Sequence, residues 1–186
     1  MDIFLQQILN GLVLGSIYAL IALGYTMVYG IMGLINFAHG EVVMFGAMVT
    51  ISIIGMLTGM GLSLPGPVVV LLALMLAIPV CMLMGFAIER IAYRPLRNAP
   101  RLAPLITAIG LSIVLQNVAI LIWGRNYIPF PPLLPHEPIN VLGASITDLQ
   151  VFIVISAIAI MAGLLFMVEK TKLGRAMRAT SQNPAV

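Results

Sequence analysis

Asn36, His39 and Glu41 lie together in the stretch GIMGLINFAHGE, positions 30–41, and bring an amide, an imidazole and a carboxylate into an otherwise apolar run. Between Asp2 and Glu89, Glu41 is the sole formally charged side chain. A charge at the centre of a membrane helix costs roughly 2.5–3.5 kcal/mol on insertion scales, so a chain keeps one there for a fold reason or a transport reason. A second polar interruption, Gln116-Asn117, sits inside another apolar block. These groups can hydrogen-bond and contact a solute, but they are not arranged for covalent chemistry. The sequence has no G-x-x-x-x-G-K-[ST], no H-E-x-x-H, no G-x-S-x-G and no paired carboxylates within its apolar blocks. The expectation is a protein that is not an enzyme, holds no cofactor, and leaves any ATP hydrolysis to another chain. His136 stands beside Glu137, but with one other histidine in the chain a metal site is not expected. Cys81 is the single cysteine, which leaves no disulfide framework; it reads as a packed or lipid-facing thiol.

The elements that must position these residues follow from composition. The 186 residues are 61% hydrophobic and 8% charged, with a mean hydropathy of +1.13, outside the range of a soluble globule. A bilayer core takes about 20 apolar residues per helix, so the chain has room for about five crossings. Open strands leave backbone groups unsatisfied in lipid, and a barrel would alternate rather than run in continuous apolar blocks. The fold class is therefore an all-α polytopic membrane bundle. Helices are expected at about 3–29, 42–57, 68–92, 102–123 and 149–168. The start, MDIFLQQ, lacks a basic n-region and reads as the first membrane helix rather than a secretory signal. Gly11/Gly15 and Gly55/Gly59 have the G-x-x-x-G spacing that allows close helix approach.

Eight of the nine Lys and Arg residues lie in 89–101 and 169–186, beside apolar helices, so they read as topology signals and not as a nucleic-acid surface. The positive-inside rule places both segments in the cytoplasm, the 125–148 connection outside, and the N-terminus outside. The 30–41 corner then lies toward the cytoplasmic side.

Two readings of that corner stay open. It is either a wet interfacial turn or a broken segment lining a cavity, where irregular backbone at membrane depth is tolerated. Asn36, His39 and Glu41 are expected to hold the corner between the first two helices in one geometry, with solute contact as the second reading. Gln116 and Asn117 serve as interhelical glue or line a path. Arg94, Arg97 and Arg101 are topology anchors or, less simply, partner contacts. Trp123, Tyr127 and Phe130 suit an interfacial belt. The 125–148 connection carries five of the twelve prolines and suits an external docking surface. In the tail, Lys172, Arg175 and Arg178 share a helical face, and Asn183-Pro184 reads as a helix start. A capped helix without a body is expected to continue beyond position 186.

The runs NGLVLGSIYALIALGYTMVYGIMGLINFAHGE at 10–41, IERIAYRPLR at 88–97, LITAIGLSIVLQN at 105–117 and LGRAMRATSQNPAV at 173–186 closely resemble the permease subunit of high-affinity branched-chain amino acid ABC importers. Permeases for urea and short amides share much of this pattern. The resemblance implies one transmembrane permease domain over 1–186 in a bacterial inner membrane. It also implies a second homologous permease, two cytoplasmic ATPases and a periplasmic binding protein as partners. By position, it makes 169–186 the cytoplasmic ATPase-docking loop, carried by Gly174, Arg175, Ala176, Arg178, Ala179 and Asn183. An ATPase-independent channel or secondary carrier and a non-transporting scaffold are the other classes to be tested.

Overall fold

Among the described residues, five helical segments of the computed structural model are long and apolar enough to cross a membrane: Ile3–Ile31, His39–Gly59, Gly66–Leu96, Leu102–Trp123 and Asp148–Lys170. The structure describes residues 2–33, 35–61, 64–96, 99–100, 102–133, 138–141 and 144–182. The fold class is the all-α polytopic one expected. In chain order the elements are α1 (Asp2–Met32), α2 (His39–Gly59), α3 (Gly66–Ile88), α4 (Leu102–Trp123), the strands β1 (Pro138–Val141) and β2 (Ala144–Thr147), α5 (Asp148–Lys170) and α6 (Lys172–Gln182).

Burial runs opposite to that of a soluble protein. Ala38, Ala73, Ala77, Ala108, Ala119 and Ala157 are buried, whereas Met82 is 70% and Leu121 84% exposed. Small residues inside and large ones outside let helices approach where lipid offers no hydrophobic drive for association.

The chain divides into two compact units, Leu34–Leu134 and Met1–Gly33 with Pro135–Val186. In the first, α2 and α3 pair around Ile54, Val69 and Ala73, with Leu57 and Leu133 against them. Cys81 lies in this pair, its Sγ 4.0 Å from the Val42 carbonyl oxygen, as a partly buried thiol packed between helices. The hydroxyls of Thr50, Ser52 and Thr58 turn back to the carbonyls of Gly46, Met48 and Ile54 at 2.7, 2.8 and 2.9 Å, which satisfies them inside an apolar helix.

In the second unit, Gln6 on α1 exchanges two hydrogen bonds with the backbone of Ser145 on β2. Its Nε2 donates to the Ser145 carbonyl at 3.0 Å and its Oε1 accepts the Ser145 N–H at 2.8 Å. β1 and β2 are antiparallel, with Pro138 opposite Thr147 and Val141 opposite Ala144. Thr147 then starts α5 with a capping box, its Oγ1 accepting from Gln150 N–H and its own N–H donating to Gln150 Oε1.

Several boundaries differ from the sequence expectation. α1 passes Tyr29 and stops where Gly33 takes φ +65°, a left-handed conformation that favours glycine, with its N–H on the Tyr29 carbonyl at 2.8 Å. Gly24 and Gly30 leave the helix intact: α1 runs unbroken through both, as in lipid a helix is the way a single segment satisfies its own backbone groups. α2 starts at His39, before Val42, because Asn36 supplies the turn ahead of it. Helical backbone continues beyond α3 as a π-turn over Glu89–Tyr93 and a 3-10 turn over Arg94–Leu96, since Pro95 has no N–H with which to continue the ladder. Within the 125–148 connection the β1–β2 hairpin was not anticipated, and the tail folds as α6.

Candidate functional site

The polar groups of the first unit converge on the start of α2. Glu41 stands in the first turn of that helix, where a carboxylate complements the helix dipole. Its Oε1 accepts two hydrogen bonds from α4, from Ser112 Oγ and from Gln116 Nε2, each at 2.7 Å. Ser112 and Gln116 are one helical turn apart, so they share a face, and Gln116 Nε2 also reaches Ser112 Oγ at 3.4 Å. Further along, the Trp123 indole N–H donates to Ser52 Oγ at 2.7 Å, and its ring meets Phe45 edge-on with centroids 5.4 Å apart. Residues 41 to 52 of α2 thus meet residues 112 to 123 of α4 in the same order. The two helices run in the same direction, as two crossings separated by one antiparallel helix must.

Asn36 organises the turn before α2. Its Oδ1 accepts from the Ala38 N–H at 3.0 Å and from the Tyr93 hydroxyl at 2.7 Å, while its carbonyl accepts from the His39 N–H at 3.0 Å. Tyr93 is 3% exposed and sits on the π-turn after α3. A single amide therefore closes an Asx-type turn and ties it to the end of α3. His39 begins α2 and is half-buried.

At the other proposed site, α6 folds back on the end of α5. The Gly174 N–H donates to Thr171 Oγ1 at 3.2 Å, a local N-cap. Gly174 is buried so tightly that a Cβ there would stand 2.0 Å from the Val168 carbonyl oxygen. Arg178 sends Nη1 to the Val168 carbonyl at 2.8 Å and Nη2 to the Glu169 carbonyl at 3.4 Å, capping the end of α5 with a positive charge. Arg175, Ala176 and Ala179 point outward, as does Leu173, which is 64% exposed. Beside them, the last turns of α1, the end of α5 and α6 enclose an apolar cleft of about 340 Å³, with Met27, Leu164 and Met177 among its walls.

The structure thus joins Glu41 to Gln116 and gives Asn36 a partner. It turns Asn117 away, its Nδ2 donating to the Ile113 carbonyl in its own helix. Asn183, Arg97, Arg101, His136 and Glu137 lie outside the described residues. Among the described residues, no group of three or more His, Cys, Asp or Glu side chains is placed to hold a metal ion. Sequence reasoning missed Ser112 and Tyr93. The signal for Ser112 was its position one turn before Gln116; the signal for Tyr93 was an aromatic hydroxyl among basic residues at a helix end.

Comparison with known proteins gives this geometry a context. The family model described as branched-chain amino acid transport system / permease component matches residues 7–186. The chain is 45% identical, over 97% of its length, to the high-affinity branched-chain amino acid transport system permease protein BraD of Pseudomonas aeruginosa, of which it covers 60%. It is likewise 45% identical over 97% of its length to the corresponding permease protein LivH of Escherichia coli K12, of which it covers 59%. The chain therefore spans about three-fifths of the length of these relatives. No solved structure matches it.

Proposed function

The chain belongs to the permease-component family of branched-chain amino acid transport systems, and from that premise we propose that it is a membrane-spanning subunit of an ATP-driven importer for branched-chain amino acids. The observation that carries the reading is the clasp of Glu41, Ser112 and Gln116, a polar face held between helices that are otherwise apolar. Such a face lets a polar solute cross an apolar wall without covalent change. Asn36 and Tyr93 hold the start of α2, and hence Glu41, in one position.

The importer would work by alternating between two states that a solute and ATP bias differently. A periplasmic binding protein delivers the solute, a second homologous permease completes the path, and two cytoplasmic ATPases supply the energy. In a bacterial inner membrane, the positive-inside rule puts Arg90, Arg94 and α6 in the cytoplasm and the β1–β2 hairpin outside. The outward face of α6, with Arg175, Ala176, Ala179 and Leu173, is then the ATPase-docking surface. Gly174 and Arg178 fix that face on α5 instead of contacting the ATPase.

The test is labelled leucine uptake into proteoliposomes holding the full-length permease with its partner permease, ATPases and binding protein. Uptake that requires enclosed ATP, and that valine and isoleucine compete while urea and acetamide do not, is expected. Uptake that persists without the ATPases would assign the protein to channels or secondary carriers, and competition by urea would assign it to the amide permeases.

A further inference from the structure

Both donors on Glu41 converge on one oxygen. Ser112 Oγ and Gln116 Nε2 each bond Oε1 at 2.7 Å, and Oε2 has no hydrogen bond among the described residues. An ionised carboxylate offers about four acceptor positions, so this arrangement orients the group and leaves one whole oxygen for a further donor. The two donors are neutral and leave its charge unbalanced. No Lys or Arg occurs from Ile3 to Ile88, nor on α4 from Leu102 to Trp123, so His39 is the one basic side chain on α2 and α4. The flanking positions on α4, Ile109, Ile113 and Ile120, are apolar and exposed.

A fixed, half-satisfied carboxylate beside an apolar wall matches one end of a zwitterionic solute with an aliphatic side chain. We propose that Glu41 Oε2 receives the α-ammonium group of the transported amino acid, while Ser112 and Gln116 position the carboxylate. The inference rests on the import function proposed above and adds the residue that reads the cationic end of the solute. An ammonium donor adds a Coulomb attraction between unit charges to its N–H···O⁻ bond, which a neutral amide donating to the same carboxylate lacks. A neutral amide therefore gains less at this position, and the residue contributes to discrimination against urea-like solutes.

The alternative is that Glu41 only clasps α2 to α4. Glu41→Gln separates the two roles, because its amide oxygen still accepts from Ser112 and Gln116 while the negative charge is gone. In the assembled transporter, compared at equal membrane level with the parent, E41Q is expected to lose at least tenfold in leucine uptake; unchanged uptake overturns the proposal. A second readout does not depend on transport. The assembled parent transporter in membranes is expected to be protected against thermal unfolding by leucine and by isopentylamine, which has the ammonium alone, and E41Q is expected to lose that protection. The parent is expected to be unaffected by 4-methylpentanoate, which has the carboxylate alone. Equal protection by all three compounds, or by none, overturns ammonium recognition. Isopentylamine protection without any leucine uptake by the parent would instead sink the import function and leave the carboxylate's role standing.

Discussion

At the scale of single residues, two side chains carry most of the account. Glu41 was visible in the sequence because a lone charge in a long apolar run stands out, and Gln116 for a similar reason. Their pairing was not visible, since 75 positions separate them and helix packing alone brings them together. Ser112 was hidden because a serine in a membrane helix ordinarily satisfies itself on a carbonyl one turn back, as Ser52 does here. Neutral interhelical bonds in membranes average about 0.6 kcal/mol, but a bond to a charged group contributes about 1.5–3 kcal/mol. Gln116→Leu, which leaves Glu41 with one donor, is therefore expected to lower the thermal unfolding midpoint in detergent measurably, whereas Asn117→Leu, which removes a bond internal to α4, should leave it nearly unchanged. Equal effects would contradict the clasp. Asn36→Ala removes the acceptor for both Ala38 N–H and Tyr93 O–H. Reduced leucine uptake at normal membrane levels is expected, and full transport would show that the turn does not depend on this amide.

At the scale of elements, α4 was legible to its bounds because Pro100 and Gly124 punctuate a continuous apolar block. α2 was placed too late because the turn that precedes it is built from an asparagine side chain, and side-chain turns do not show in apolar periodicity. The β1–β2 hairpin escaped notice for a different reason: four-residue strands in a proline-rich connection carry too little pattern to register. For α6, the basic helical face was evident but its anchoring was not. The tail residues assigned to docking divide into two groups, those that fix the helix, Gly174 and Arg178, and those that face outward. Gly174→Val places side-chain atoms where the α5 backbone already lies, and overpacking of that kind costs typically about 1–3 kcal/mol. It should increase proteolysis at 171–182 even where the membrane helices stay intact, whereas Ala176→Val, on the outward face, should not. Equal cleavage in the two variants would show that α6 is not seated through Gly174.

At the scale of the whole molecule, each unit carries its own polarity. In one, the start of α1 meets the β1–β2 hairpin, while the last turns of α1 meet the end of α5 and α6. In the other, the start of α2 meets the end of α3 through Asn36 and Tyr93. The proposed orientation predicts that, with Cys81 replaced by alanine, a cysteine at position 145 reacts with an impermeant maleimide in intact spheroplasts. One at position 175 should react only after the membrane is opened, and the reverse pattern would invert the topology. The central claim, that this permease carries branched-chain amino acids inward at the expense of ATP, is tested most directly by labelled leucine uptake in cells lacking their own branched-chain importers. Restoration by the full-length gene together with its partner subunits, and its loss on ATP depletion, is the expected result. Uptake no higher than in the empty cells would contradict it.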